Sequence, residues 1–302
     1  MLVAAEIDNG LSEAILRTLQ YYAWFSYPLQ EAEIRDNCAM LCKEDALRPH
    51  LQRLQEEGKV YCCEGYYSPS AEVASLVERR ILGNARAARD VQRAEQIGRL
   101  IFTTPFVQFV GISGSLSKGY SDANTDFDFF IITRKNRLWI SRTLLHLFKK
   151  LTFLVGQQHK FCMNYFLDES ALTLAERNIY TATELRTMIP VCGAGTYTRL
   201  MDANRWVYNF LPNGRQEGLN RQPENDGLFK KAFSGLLGLC NPDGVNHFLM
   251  RITDSKWRRK WARKGYPAED YELAFKTTLH ISKNHPANYQ KRILEALSRK
   301  EP

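Results

Sequence analysis

Apolar positions along the chain change period several times, and each change predicts an element. Ile15, Leu16, Leu19, Tyr22 and Ala23 recur at helical spacing behind Ser12, a predicted N-cap, and Pro28 stops that helix. A short helix over residues 30–34 follows, then a third that ends near Glu57, with Gly58 placed to close it. Residues 60–63 and 66–67 bracket Glu64 and Gly65, the turn chemistry of a small hairpin. Residues 72–102 read as one long helix, ended by Pro105. Compact strand-like runs follow at 106–112, 127–133 and 160–167, with an apolar and basic crossover helix over 138–155. From Ser170 onward the pattern is mostly helical, broken by a polar, turn-rich stretch at 213–227 that predicts a mobile loop.

A chain of 302 residues predicts two or three domains, and 44% hydrophobic with 25% charged residues fits a folded protein rather than a disordered one. The expected division is residues 1–70, a connecting helix at 71–104, a sheet-containing core at 105–170 and a helical region at 171–302. Lys plus Arg number 41 against 33 Asp plus Glu, a net charge of +8 that suits a phosphate-bearing partner. The longest uncharged run, residues 100–117, carries too many Thr, Ser, Gly and Gln residues for a membrane span. Glu6 and Asp8 stand where a secretory signal would be basic and then apolar, so the expected location is cytoplasmic, without membrane contact. Seven cysteines form no disulfide framework. A zinc shared by Cys38, Cys42, Cys62 and Cys63 is disfavoured, because adjacent Cys62 and Cys63 on a strand point to opposite faces.

Three helices and a two-stranded wing make the first 70 residues resemble a winged helix-turn-helix domain. Its third helix is poorly suited to DNA. Arg48, His50 and Arg53 are offset by Glu44, Asp45, Glu56 and Glu57, and Pro49 is expected to interrupt it. Protein contact or simple packing is the better expectation for this unit. The arginines of the long helix (Arg79, Arg80, Arg86, Arg89, Arg93 and Arg99) alternate with Glu78, Asp90 and Glu95, as on a solvated face.

The chemistry concentrates between Val110 and Ile132. An apolar strand runs into Gly114-Ser115, and Asp126-Phe127-Asp128 opens the next strand. Alternation along a strand sends Asp126 and Asp128 to one face, where two carboxylates can share a hard divalent cation. Gly114 lets backbone approach a phosphate, and Ser115 adds a hydroxyl donor. This order and spacing resemble the active-site signature of the nucleotidyltransferase superfamily of the DNA polymerase beta type. The resemblance covers residues 105–168 and implies an α+β fold: a mixed-sheet core, here with an N-terminal winged helix and a helical C-terminal region. It also implies that Gly114, Ser115 and the nearby Lys118 hold a nucleoside triphosphate, and that Asp126 and Asp128 bind Mg²⁺ and carry the catalysis. The plainer alternative is a surface turn at residues 121–125 before a strand end with two solvated aspartates.

One position departs from that signature. Active relatives carry a third carboxylate on a following strand, whereas the polar residue in mid-strand is Asn164 and Asp168 stands at the strand end. Lys118 and Lys135 flank the carboxylates, Lys118 being the better placed. Farther on, residues 256–264 hold six basic side chains around Trp257 and Trp261, a surface for nucleic acid or a phosphorylated acceptor, or two core tryptophans on a solvated helix. His146, His247, His280 and His285 lack ligand spacing. The expected function is a Mg²⁺-dependent transfer of a nucleoside monophosphate to an acceptor hydroxyl that the sequence leaves unnamed. A nucleotide sensor without turnover and a winged-helix DNA-binding regulator are the alternatives.

Overall fold

The computed structural model describes residues 2–152, 162–214, 227–238 and 241–299. Parts of the expected crossover helix (153–155), of the third strand (160–161) and most of the 213–227 loop lie outside these residues.

Three helices and three short strands make up the N-terminal unit: α1 (Leu2–Ala23), β1 (Leu29–Gln30), α2 (Glu31–Asn37), α3 (Leu47–Glu56), β2 (Tyr61–Cys63) and β3 (Tyr66–Ser68). The strands form an antiparallel sheet in the order β1-β3-β2, one strand more than the two expected. Glu64 and Gly65 both take positive φ (50° and 77°), the twist that a two-residue hairpin turn requires. Two local expectations change. Helix α1 already runs from Leu2, so Ser12 is no cap; its hydroxyl lies 2.9 Å from Nδ1 of buried His50. Pro49 is the third residue of α3 and does not interrupt it, since the first turn of a helix uses no N–H there.

Helix α4 (Val73–Phe102) is the spine between this unit and the next. Its buried residues Val73, Val77, Arg80, Gly83, Ala87, Asp90, Ala94, Gly98 and Ile101 recur every three or four positions, one stripe of a helix. Arg79, Arg86, Arg89, Arg93 and Arg99 face outward as expected, whereas Arg80 and Asp90 are buried. The Arg80 guanidinium lies between the Tyr27 and Tyr66 rings, 4.2 and 4.7 Å from their centroids, and donates to both oxygens of Glu33. Ser121 Oγ donates to Asp90 Oδ2 at 2.7 Å, which pins the loop leading toward Asp126.

The core sheet is built from β4 (Val107–Ser113), β5 (Asp128–Thr133), β6 (Cys162–Asp168), β7 (Ile189–Cys192) and β8 (Ile281–Lys283). Its order is β7-β4-β5-β6-β8, with β5 and β6 parallel and the other neighbours antiparallel. A short helical turn, α5 (Gly114–Ser117), follows β4, and α6 (Leu138–Thr152) makes the crossover between the parallel pair. The remaining helices are α7 (Ile179–Thr187), α8 (Ala194–Ala203), α9 (Val207–Phe210), α10 (Leu228–Gly238), α11 (Pro242–Arg263), α12 (Ala268–Ala274) and α13 (Tyr289–Ser298). The region expected to be mostly helical therefore supplies both edges of the sheet. Four and three residues are too few to show a period, and Pro190 fits only an edge strand.

Strand alternation decides which layer each side chain joins. Phe129 and Ile131 pack with Trp139 and Leu145 of α6 and with Ala94 and Ile101 of α4. Phe130 and Ile132 face the opposite way, against Ala182 and Leu185 of α7 and Leu200 of α8. Ile293 of α13 joins Leu19, Leu51 and their neighbours in the N-terminal core, so the two ends of the chain share one hydrophobic cluster. The protein is an α+β fold, and among the described residues no helix is long and apolar enough to cross a membrane.

Removing one partner of a buried ion pair strands the other charge. Glu33→Ala should destabilise the protein by roughly 1–3 kcal/mol, discounted because Glu33 is one-third exposed. Urea unfolding checks this; an unchanged midpoint would mean that its two tyrosines and the Pro28 carbonyl suffice to hold Arg80.

Candidate active site

The parity of β5 places Asp128 on the same face as Phe130 and Ile132, beneath α7. Asp128 opposes Ser113 in the antiparallel register, so the end of β4 and the start of β5 lie side by side. Gly114 follows at once with φ +70°. A Cβ on residue 114 would stand 2.4 Å from Asp128 Oδ2, a distance no side chain tolerates, and the positive φ would strain it further. Glycine is thus required here for close approach between backbone and carboxylate.

Asp128 is crowded by negative charge. Burial, then the Glu184 carboxylate, then Asp126 raise its pKa to about 7, well above the usual carboxylate range. Asn164 Nδ2 donates to Asp128 Oδ1 at 3.1 Å and also lies 3.0 Å from Cys162 Sγ. Asn164 is therefore beside the site, where it serves Asp128 as a hydrogen-bond donor. Asp168 is not beside it. Residue 128 pairs with 162 and residue 133 with 168, so Asp168 ends the strand ~17 Å away. It is spent on structure, accepting from the backbone N–H groups of Asn136 and Ser170 and lying 2.7 Å from Nδ1 of His280.

Lys118 is no exposed turn residue. Its ammonium is largely buried and donates to Glu184 Oε1 at 2.7 Å and to the Gly114 carbonyl at 3.1 Å. Ser115 is exposed on the first turn of α5, and its carbonyl accepts from the N–H groups of Lys118 and Tyr120. Asp126 is exposed just before β5, near enough for its charge to act on Asp128. The loop before it is ordered by Asp122, whose Oδ1 accepts from the Asn124 N–H and the Thr125 hydroxyl. Lys135 lies beyond the far end of β5 and takes no part.

The residue that sequence reasoning missed is Glu184. It belongs to α7, which starts at Asn178, whose side chain accepts from the Thr181 N–H. A lone acid in mid-helix carries no motif; only the packing of α7 over the Asp128 face of β5 reveals it. Asp126, Asp128 and Glu184 offer the hard oxygen donors that Mg²⁺ prefers. Desolvation first, and the neighbouring carboxylates after it, raise the pKa of Asp128, and a divalent cation held by Asp126 and Asp128 would offset both. Among the described residues no group of three or more His, Cys, Asp or Glu is already gathered for a metal. That includes Cys38, Cys42, Cys62 and Cys63; burial raises the pKa of Cys38 and Cys42 and keeps them as thiols.

Two other sites contribute less. Trp257 and Trp261 pack with Tyr271 and Phe275, so they anchor α11 rather than wait for bases. Lys256, Arg259, Lys260, Arg263 and Lys264 remain exposed beside Phe248 and Ile252. On α3, His50 is buried, Arg48 pairs with Glu31 and Arg53 with Glu57, which leaves little positive charge to offer a DNA backbone.

A raised carboxyl pKa is a stability statement. The folded protein binds a proton at Asp128 that the unfolded chain releases near pH 4, so stability falls as pH rises from about 4 to about 7. Asp128→Asn should therefore be more stable than wild type at pH 8, by about 1–3 kcal/mol, and equal to it near pH 4. Thermal unfolding across that range is the check, and a variant less stable at pH 8 would contradict the crowding. No protein-family model, curated protein or solved structure matches the chain in any of the three comparisons.

Proposed function

We propose that the chain is a Mg²⁺-dependent nucleotidyltransferase, with a core of the DNA polymerase beta type and an N-terminal winged helix that serves protein contact or packing. One observation carries the reading: Gly114 meets half-buried Asp128 at the joined ends of β4 and β5, and Asp126 and Glu184 add carboxylates near it. In that reading Gly114, Ser115 and Lys118 hold the triphosphate of a nucleoside triphosphate. Bound Mg²⁺ would supply positive charge that offsets the charge developing on the transferring phosphoryl group. The acceptor hydroxyl oxygen forms a bond to the α-phosphorus as the bond from that phosphorus to the bridging oxygen breaks. Pyrophosphate leaves, and the hydroxyl proton passes to a carboxylate.

Glu184 is the carboxylate that can take this proton, replacing the acid that the third strand lacks. Its ion pair with Lys118 also gives the site an order of events. A triphosphate that draws Lys118 away frees Glu184 to act as base, so the proton acceptor is released only when nucleotide is present. Asn164 favours a second reading, a nucleotide sensor without turnover, because it occupies the expected third-carboxylate position. Asn164→Asp separates the two: activity gained only in that variant supports the sensor, and activity already present in wild type refutes it.

Calorimetry with each ribonucleoside triphosphate should show Mg²⁺-dependent binding that is lost in Asp126→Asn/Asp128→Asn. In turnover assays that follow pyrophosphate release, Glu184→Gln should lower kcat about 10²- to 10⁴-fold with little change in nucleotide KM. Absence of binding for every nucleotide would overturn the proposal. A Glu184→Gln enzyme of wild-type rate would remove the base.

A further inference from the structure

A second cavity opens beside this site. About 650 Å³ of empty space, part of it open to solvent, is lined by Phe130, Tyr165, Tyr180, Glu176, Lys283 and His285. Ser113 and Glu184 also line it, so one end of the cavity is the site itself. The cavity volume proper is about 70 Å³, so any guest held here is small.

The walls select by chemistry. Tyr165 stacks on Phe130 at 4.9 Å and meets the His285 ring edge-on at 6.0 Å, and Tyr180 adds a third aromatic wall. Burial keeps the Tyr165 and Tyr180 phenols protonated. Lys283 is buried, but its ammonium is already used: it donates to Glu176 Oε2 at 2.8 Å and to Gln290 Oε1 at 3.1 Å. Burial, with Lys283 next to it, lowers the His285 pKa to about 4, so the ring is neutral. Its Nε2 is buried with no hydrogen-bond partner, as is Nδ2 of Asn288 in the same lining, which leaves two polar atoms waiting at the wall.

Counting the lining charges gives two carboxylates, Glu176 and Glu184, against one ammonium, Lys283. An anionic guest would meet no free cation here, and its own charge would be desolvated at a cost of several kcal/mol. An uncharged ring with hydroxyl groups avoids that cost. It can lay its apolar face on tyrosine while its hydroxyls bond to carboxylate, amide and imidazole.

We infer that this cavity holds the acceptor, and that the acceptor is an uncharged, polyhydroxylated small molecule, a sugar or cyclitol ring rather than a sugar phosphate or a nucleic-acid end. The inference rests on the proposed nucleotidyl transfer. The position of Glu184 argues for acceptor over nucleobase. The group next to the carboxylate that takes the proton is the hydroxyl that loses it, whereas a base is held away by its own ribose and α-phosphate. Transfer would leave a nucleoside monophosphate ester on one ring oxygen, with pyrophosphate released and the proton on Glu184.

The test uses saturation-transfer NMR on the full chain with three panels. The first holds neutral monosaccharides, their methyl glycosides and myo-inositol; the second holds the corresponding sugar phosphates and glucuronate; the third holds the four unphosphorylated ribonucleosides. Binding confined to the first panel, weakened at least fivefold in both His285→Ala and Gln290→Ala, is the expected result. Circular dichroism of both variants keeps a folding defect from counting as support. Preference for the second panel, preference for the third, or no binding in any panel would each overturn the inference. Triphosphate binding measured on the same samples keeps the two ideas apart. Neutral ligands without nucleotide binding would sink the transferase reading, and nucleotide binding without neutral ligands would sink this one.

Discussion

Asp128 Oδ2 occupies the space in which any side chain on residue 114 would have to stand. That one close approach governs the end of the sheet. It requires glycine with positive φ at the last step of β4, which turns the chain directly into α5 and carries Lys118 back over the Gly114 carbonyl. Strand parity sets the half-buried Asp128 carboxylate beneath α7. A carboxylate so placed costs stability unless something positive compensates, and the compensation present is partial: Lys118 serves Glu184 while Asp128 holds a proton near neutral pH. Natural sites that store such an imbalance commonly give up stability for function.

The N-terminal unit and the central strands were legible because their signals are local. Gly58 and Gly65 sit where only a left-handed turn closes the element, and both take positive φ. Asp128 was legible by strand parity, whereas Asp126 precedes β5 and lies outside its alternation; the crossover helix was legible by its run of apolar residues from Leu138. What stayed hidden was whatever depends on tertiary packing. Arg80 reads as one more exposed arginine of a charged helix until Tyr27, Tyr66 and Glu33 are seen to enclose it. Residues 189–192 and 281–283 are too short to announce themselves as strands, yet they complete the sheet on both sides. Pro49 and Ser12 misled for a related reason: each has two structural meanings, and the choice depends on how far the neighbouring turn extends.

Glu184 and His285 show the same limit at the level of chemistry. Neither stands in a motif, and they come from a helix and a loop 101 positions apart in the chain, counted from residue 184 to residue 285. The fold brings both to one cavity because α7 lies on the Phe130 face of the sheet while β8 adds itself beside β6. For the proposed transfer, Asn164 in place of an acid on the third strand therefore does not by itself remove the third carboxylate. An acid can reach the same carboxylate cluster from the layer above, and Asn164 then steadies Asp128 through its amide.

That substitution of origin has a physical consequence. A carboxylate fixed on a strand stands ready whether or not nucleotide is present. In the proposed reaction one carried by a helix and held by Lys118 would be masked until the lysine found a better partner, and a triphosphate is a better partner than a single carboxylate. The largely buried ion pair would then link triphosphate binding to the availability of Glu184 at the mouth of the aromatic cavity. Lys283, tied to Glu176 and Gln290, has no such competitor in reach and remains a fixed wall. On the proposed function the two lysines of this neighbourhood play opposite parts, and what decides between them is whether a phosphate can reach the ammonium.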